Sequence, residues 1–414
     1  MWARARWIGR PYSPTRNGRA SATALSNTMT PRTPSPRRRP ATPTCESFGF
    51  TMRNAFGAIL LVLLAALPVT AQTPRRHTAV LIVTDGFRWQ ELFGGADAAL
   101  NNAEYGGVED TTALRRSFLV GDPEANRLAL MPFMWKVVAR EGQIYGNRDL
   151  GSTAVVTNGY NFSYPGYNEM LTGTADPNID RNDYGPNPNT TVFEWLAGQP
   201  GFQGKVAAFG TWDAFAPIFN QDRAPMWVRA GWDLPYPGDT ASRRVLLDSL
   251  YATTTRVWSE MPYDGFMQAV VMEYVETERP EVLYIGYGET DEWAHEGRYD
   301  QYLASAHRVD GFIRDLWNAM QAMPEYAGRT TFIITTDHGR GSGLKAWRNH
   351  GAKVDGAEYI WMAVMGPDIP ALGVRQDVPT VTQSQIAATV AAGVGVDWVA
   401  ASGAAAALPV FRSR

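Results

Sequence analysis

From residue 79 onward, the hydrophobic positions of the chain alternate between two patterns. Short apolar runs without polar interruption predict buried strands at residues 79–84, 205–209, 282–287, 331–336 and 359–365. Stretches with apolar residues three or four positions apart predict helices at residues 132–140, 243–258, 266–278, 299–323 and 383–392. Buried strands that alternate with such helices indicate an α/β fold, with a mostly parallel central sheet and helices on both faces.

Polar residues follow three of these strands. Asp85 follows the first strand directly, Asp337 and His338 follow the strand at 331–336, and Asp291 with His295 follows the strand at 282–287. A single Asp in such a place is usually a turn former or a helix cap. Because parallel strands end at the same edge of a sheet, three such sites together predict a functional site there.

The histidines divide into two groups. His295, His338 and His350 each lie near Gly, Asp or Asn in polar segments, whereas His307 falls inside a predicted helix and His77 lies near the expected mature N-terminus. Imidazole nitrogens combined with carboxylate oxygens are typical ligands of Zn²⁺, and Mn²⁺ is the alternative. The first three histidines are therefore candidate metal ligands, and the other two are expected to be structural or exposed.

A candidate nucleophile precedes a short predicted helix that ends near Gly173. A hydroxyl at this place, that of Ser163, would face the positive end of the helix dipole, which suits attack on an anionic phosphorus centre. The alternative is that Ser163 only caps the helix.

The first 51 residues differ from the rest of the chain. They contain nine Arg and one Glu among many Pro, Ser and Thr, and show no apolar periodicity. We interpret residues 1–51 as a disordered leader, or as sequence upstream of a true start at Met52. A cationic start, an apolar run at 58–67 and small residues at 69–71 predict a signal peptide over 52–71.

This leader bears on location and partners. The mature protein is expected to begin near Gln72, to be periplasmic or secreted, and to form one α/β catalytic domain over residues 72–414. The formal net charge is −3 for the whole chain and +8 for residues 1–51, so the remaining residues carry a net charge of −11. Such an acidic protein is not expected to bind nucleic acid. The apolar run is shorter than the ~20 residues of a membrane-spanning helix, so no stable span is expected in the mature form.

These elements, in this order, resemble the alkaline phosphatase superfamily, in particular its nucleotide pyrophosphatase/phosphodiesterase-like and phosphate-irrepressible phosphatase branches. The resemblance covers residues 78 to about 395. It rests on Val83-Thr84-Asp85-Gly86, on Ser163-x-Pro165 with Thr172-Gly173 downstream, on Asp291-x-x-x-His295, on Thr336-Asp337-His338-Gly339 and on the late His350.

The resemblance implies a hydrolase of small phosphate esters with two divalent cations, zinc before manganese. One cation would be held by Asp291, His295 and His350. The other would be held by Asp85, Asp337 and His338, with the Ser163 hydroxyl as a further ligand. Ser163 would be the nucleophile and would pass through a phosphoserine, and the preference for mono- or diesters stays open.

The chain departs from the family pattern at two points. The two branches usually carry Thr where this chain has Ser163. They also use an Asn some twenty residues further on to hold a phosphate oxygen, and Asn182, Asn187 and Asn189 all fall in that region. Among the three we favour Asn187.

Three other functions share this fold and stay open as alternatives. A sulfatase-like enzyme is disfavoured because Tyr167 stands where the oxidised-nucleophile motif needs Arg or a small residue. A phosphoglycerate-mutase-like phosphotransferase is disfavoured because its substrate is cytosolic and this chain is expected to be exported. A binding protein without catalysis is disfavoured because no ligand is missing.

Overall fold

The computed structural model describes residues 77–412, so the leader at 1–51 and the signal peptide at 52–71 lie outside the described residues. The strands are β1 Thr78–Thr84, β2 Gly142–Tyr145, β3 Ser152–Val155, β4 Val206–Gly210, β5 Trp227–Ala230, β6 Val282–Tyr287, β7 Thr330–Thr335, β8 Tyr359–Ile360, β9 Met362–Met365, β10 Gly373–Val374 and β11 Val378–Thr382.

The helices surround these strands. They are α1 Trp89–Gly94, α2 Thr111–Phe118, α3 Pro123–Leu130, α4 Ala139–Glu141, α5 Ser163–Thr172, α6 Val192–Gly198, α7 Phe215–Ile218, α8 Ser242–Thr253, α9 Asp264–Glu278, α10 Glu289–His295, α11 Tyr299–Gln321, α12 Gly343–Ala346, α13 Gln385–Gly393 and α14 Trp398–Ser402. Within the described range, no helix combines the length and the apolar character needed to cross a bilayer.

The central sheet has eight strands in the order β10-β2-β9-β7-β1-β6-β4-β5, and β1 lies between its parallel neighbours β6 and β7. The pairs β4–β6, β4–β5 and β10–β2 are also parallel, whereas β9 runs antiparallel to β2 and β7. A second sheet contains β11-β3-β8. The predicted fold class, a mostly parallel α/β sheet, is confirmed.

Strand β1 shows why helices cover both faces of the sheet. Its buried side chains alternate between two apolar clusters, with Val80 and Ile82 on one face and Leu81 and Val83 on the other. Helices α9 and α11 contribute to the first cluster, and α5, α6 and α13 contribute to the second. A strand buried on both faces has no polar side, which explains its continuous apolar sequence.

Three predicted elements differ from the observed ones. The helix predicted at 243–258 ends at Thr253. The run at 359–365 is divided at Trp361, whose buried side chain donates a hydrogen bond to the carbonyl of Phe87, so the run supplies one strand to each sheet. The segment predicted as a helix at 132–140 is helical throughout, but its middle part, Met134–Val138, forms a π-helical turn that continues into α4. Strands β2 and β5, four residues each, gave too short a pattern to be predicted.

Candidate active site

The three central strands bring the predicted polar residues to one edge of the sheet. Asp85 follows β1 directly, Asp337 and His338 follow β7, and Asp291 lies in the first turn of α10 after β6, with His295 at the end of that helix. Because β7, β1 and β6 are parallel neighbours, their carboxyl ends lie side by side. The order of the strands in the sheet, which is not written in any one segment, therefore assembles the site.

One group of side chains consists of Asp85, Asp337 and His338, all buried. The Nε2 atom of His338 lies 3.5 Å from Oδ1 of Asp85 and 3.4 Å from Oδ2 of Asp337. These two carboxylate oxygens have no hydrogen-bond partner, whereas the other oxygen of each carboxylate accepts a bond, from the Tyr167 hydroxyl at 2.7 Å and from the Gly86 amide at 3.0 Å. Each carboxylate is thus held by one oxygen and presents the other, which is the arrangement a cation requires.

A second group consists of Asp291, His295 and His350. The Nε2 atom of His295 lies 3.0 Å from Oδ2 of Asp291 and 3.0 Å from Nε2 of His350. The two groups adjoin each other, because Nε2 of His338 lies 3.7 Å from Oδ1 of Asp291 and the rings of His338 and His350 are stacked with centroids 4.0 Å apart. Candidate metal-ligand atoms of Asp291, His338 and His350 also lie within 4.8 Å of one another.

Burial controls the charges of these groups. Burial, together with the neighbouring Asp337 carboxylate, raises the pKa of Asp85 to about 7. Burial likewise raises the pKa of Asp337 to about 7. Burial lowers the pKa of His338, and it holds the pKa of His350 well below its usual value, so both imidazoles are neutral at pH 7. Neutral imidazoles beside crowded carboxylates fit a divalent cation.

Ser163 begins α5, but its side chain does not cap that helix. Phe162 is the N-cap residue, and the Ser163 hydroxyl lies 3.4 Å from Nε2 of His338. The backbone at this helix start offers little to a ligand, because the Tyr164 amide donates to Oδ1 of Asn182 and Pro165 has no amide hydrogen. The expected set of free backbone donors is therefore reduced, and the hydroxyl is turned towards the Asp and His side chains.

A cavity of about 160 Å³ opens onto this site. Its lining includes five of the predicted residues, Asp85, Ser163, Asp291, His295 and His350. Asn182, one of the three candidate asparagines, also lines the cavity. Five further lining residues were not predicted from the sequence: Trp212, Glu260, Met261, Gly288 and Glu292.

The three candidate asparagines are separated by the structure. Asn187 is fully buried and does not line the cavity; its Nδ2 donates to Oδ1 of Asn168, and its Oδ1 accepts from the amide of Asn189. Asn189 is hydrogen-bonded to Asn168 and Asp176. Only Asn182 lines the cavity beside the serine. The preference for Asn187 is thus corrected in favour of Asn182, because the amide of Asn187 is used to hold its own loop.

Two histidines lie elsewhere, in agreement with the sequence. Nδ1 of His307, in α11, is hydrogen-bonded to the carbonyl of Leu130 at 2.8 Å, and His77 lies 3.6 Å from Asp368. The sequence missed Arg340, which is buried against Asp291 and also donates to the carbonyl of Gly86. Its only signal was its place two residues after His338, which no pattern of residue types marks as special.

Comparison with known proteins agrees with this fold. A family model described as Metalloenzyme superfamily matches residues 228–394. No curated protein matches the sequence. The structure of a mutant of alkaline phosphatase PafA is 10% identical in sequence and superposes with a TM-score of 0.53. The match covers 82% of this chain and 99% of the PafA chain. The structure of Ps i-CgsB is 14% identical in sequence and superposes with a TM-score of 0.50. The match covers 80% of this chain and 75% of the Ps i-CgsB chain.

The chain therefore has an alkaline-phosphatase-like α/β fold, with a cluster of Asp and His side chains at the carboxyl ends of its central strands. The resemblance to the alkaline phosphatase superfamily, which the sequence motifs predicted, is confirmed by the family model and the shared fold. Members of that superfamily are metal-dependent hydrolases of phosphate or sulfate esters.

Proposed function

We propose that this chain hydrolyses small phosphate esters with Ser163 as its nucleophile. The observation that carries the proposal is the position of the Ser163 hydroxyl, 3.4 Å from Nε2 of His338 and inside the cavity that Asp85 and Asp291 line. A serine hydroxyl that does not cap its own helix, and that faces paired carboxylates and imidazoles, is arranged for chemistry rather than for stability.

Two divalent cations, zinc before manganese, fit the two groups of ligands. Asp85, Asp337 and His338 would hold one, together with the Ser163 hydroxyl. Asp291, His295 and His350 would hold the other. When bound, such cations lower the pKa of a coordinated hydroxyl and neutralise charge on the phosphoryl oxygens.

The residues of the chain have separate tasks in this reaction. The Ser163 hydroxyl loses its proton to water and its oxygen attacks phosphorus. The bond from phosphorus to the ester oxygen breaks, and the departing alkoxide takes up a proton from water. The phosphoserine is then cleaved by water, which returns a hydroxyl to Ser163 and releases phosphate, or a phosphate monoester when the substrate is a diester. Asn182 donates its side-chain amide to a non-bridging oxygen, and Tyr167 and Gly86 hold the carboxylates of Asp85 and Asp337 in place.

We also propose that the enzyme is exported. The support is the three-part signal peptide predicted over residues 52–71, with residues 72–414 forming the mature catalytic domain. The natural substrate would then be an ester that the protein meets outside the cytoplasm.

A substrate panel tests the proposed function. The purified protein is assayed with p-nitrophenyl phosphate, bis(p-nitrophenyl) phosphate and p-nitrophenyl sulfate, before and after chelator treatment and after readdition of Zn²⁺ or Mn²⁺. We expect hydrolysis of at least one phosphate ester, loss of that activity with chelator and recovery with metal, alongside two metal equivalents by elemental analysis. Turnover of the sulfate alone, or activity that is indifferent to chelator, would overturn the proposal.

A further inference from the structure

The outer part of the active-site cavity is acidic. Beyond the predicted metal ligands, its lining contains the carboxylates of Glu260 and Glu292, and none of its lining residues is Lys or Arg. Within residues 77–412, neither of these two glutamates forms an ion pair with a basic side chain at 4 Å or less. The cavity therefore presents two carboxylates that pair with no basic side chain of these residues.

These carboxylates come from separate parts of the chain. Glu292 lies in α10, next to Asp291, and Glu260 lies in the segment between α8 and α9. Trp212, two residues after β4, completes this wall, and its indole N–H donates to Oε2 of Glu260 at 3.2 Å. The Trp212 ring is partly exposed and lines the same cavity. An aromatic face beside two carboxylates is a chemical environment that suits an organic cation.

A further observation, at the proposed metal site, points to a ligand in this cavity. Oδ1 of Asp85, which belongs to a residue that is only 5% exposed, has no hydrogen-bond partner, and Asp85 lines the cavity. With the phosphoryl group of a substrate beside Ser163, its organic arm would extend along the remaining lining, which includes Trp212 and the two glutamates. Glu260 is exposed and Glu292 is half-buried. A negative charge on that arm would be repelled there, whereas a positive charge would be attracted.

We propose that the enzyme prefers phosphate esters in which one alcohol carries an ammonium group, either primary or quaternary. Glu260 and Glu292 supply the opposite charges, and Trp212 supplies the aromatic face. This inference rests on the proposed function and specifies its substrate class. No group other than the phosphoryl group is transferred, because the ammonium serves only for recognition.

A matched pair of diesters tests the inference. The first is p-nitrophenyl phosphocholine, and the second is its neutral analogue, 3,3-dimethylbutyl p-nitrophenyl phosphate, in which carbon replaces the ammonium nitrogen. The two have the same size and the same aryl group, so the ratio of their kcat/KM values isolates the positive charge. Phosphorus-31 NMR follows cleavage at either ester bond. We expect a ratio of at least about 10 in the wild-type protein, and a ratio near 1 would overturn the inference.

Variants identify the residues responsible. In the double variant Glu260→Gln/Glu292→Gln the ratio should fall to within about twofold of 1, because both opposite charges are removed while side-chain size is kept. Glu296→Gln is the control, since Glu296 is an exposed residue at the end of α10 that does not line the cavity, and its ratio should equal that of the wild type. A double variant that keeps the wild-type ratio would overturn the assignment.

Failure of this inference can be distinguished from failure of the proposed function. Bis(p-nitrophenyl) phosphate carries no cationic group, so its hydrolysis reports the proposed function alone. If Ser163→Ala abolishes that hydrolysis while the ammonium and carbon analogues react equally, only the substrate inference fails. If the wild-type protein hydrolyses no phosphate ester, the proposed function itself fails.

Discussion

The guanidinium of Arg340 lies buried against the carboxylate of Asp291. It also donates to three backbone carbonyls, those of Gly86 at 3.1 Å, Arg348 at 2.7 Å and Asp291 at 3.2 Å. One side chain thus connects the loop after β1, the helix α10 and the segment that leads to His350. Arg340 therefore positions candidate metal ligands from three parts of the chain.

Arg340→Met should consequently reduce both stability and metal binding. Removing one partner of a buried ion pair leaves the other charge unpaired, which costs about 3–5 kcal/mol of the free energy of unfolding. Arg340→Lys keeps the positive charge but loses the planar fork of N–H donors. Its stability and metal content should therefore lie between those of Arg340→Met and of the wild type. The measurements are denaturant unfolding and metal content after dialysis.

Arg314→Met is the control for this prediction, because Arg314 is exposed and forms an ion pair with its exposed neighbour Asp315. Its effect should stay within about 0.5 kcal/mol. An Arg340→Met protein with wild-type stability and metal content would contradict the positioning role.

Gly86→Ala should damage the site through the backbone. Gly86 has φ +58°, and a Cβ atom there would lie 2.6 Å from Oδ1 of Asp291 and 2.8 Å from Nε of Arg340. We expect a loss of about 1–3 kcal/mol in unfolding free energy, together with lower metal affinity. Gly94→Ala is the matched control, since a Cβ atom there meets nothing within 4 Å and should change stability by about 1 kcal/mol or less. Equal behaviour of the two variants would refute the steric argument.

The sequence predicts those parts of the molecule that depend on local pattern. Strand β6 has the predicted bounds, and β1 differs from its prediction by one residue, because an uninterrupted apolar run is recognisable within a few positions. The residues that end these strands could be predicted for the same reason. Their convergence followed from the parallel arrangement alone, without any knowledge of loop conformations.

Other parts of the site depend on contacts between distant segments and leave no local pattern. Trp212 and Glu260 line the cavity because two loops meet there, and neither has a distinctive sequence context. The choice between Asn182 and Asn187 was open for a similar reason, since both lie in one polar loop. Only the hydrogen bonds of Asn187 with Asn168 and Asn189 remove it from the cavity.

Metal affinity should increase with pH up to about 7 and then level off. Burial raises the pKa of Asp85 and Asp337 to about 7, so in the metal-free protein both carboxyl groups are protonated below that value, and metal must displace the protons. Burial lowers the pKa of His338, so protons compete little with the metal for its imidazole in this pH range. We expect the rise in Tm on adding Zn²⁺ to be larger at pH 8 than at pH 5.5.

In the metal-free protein, the contribution of these two carboxyl groups to the free energy of unfolding should instead decrease as pH rises. A carboxyl group whose pKa is raised on folding stabilises the fold fully below the unfolded value of about 3.9, and that contribution is lost as pH rises through 7. The double variant Asp85→Asn/Asp337→Asn should therefore lose this part of the pH dependence. An equal Zn²⁺-induced shift in Tm at both pH values would contradict the role assigned to the two carboxylates.

Processing of the chain gives a separate prediction. Expressed from Met52 in a bacterial host, the protein should be recovered outside the cytoplasm with an N-terminus near Gln72, because the apolar run at 58–67 is followed by small residues. N-terminal sequencing of the exported material measures this directly. Cytoplasmic protein that retains residues 52–71 would contradict the predicted export.

The sharpest prediction concerns Ser163. Because Phe162 rather than Ser163 is the N-cap residue of α5, Ser163→Ala should change stability by less than about 1 kcal/mol. The same change removes the attacking oxygen, so kcat/KM for the best phosphate ester should fall by at least about 10³-fold, the equivalent of several kcal/mol of transition-state stabilisation. Metal content should largely survive, since Asp and His side chains provide the other ligands.

Two further variants separate chemistry from helix geometry. Ser163→Thr keeps a hydroxyl and should retain part of the activity, with the added methyl group crowding a site where the serine is only 5% exposed. Ser242→Ala is the matched control, because Ser242 is likewise the first residue of a helix, α8, but lies on the surface and should keep wild-type activity. Turnover, unfolding and metal content are measured for all of them. If Ser163→Ala retains near-wild-type turnover with metal bound, the hydroxyl is not the nucleophile, and the phosphoserine mechanism must be abandoned even though the fold and the metal cluster remain.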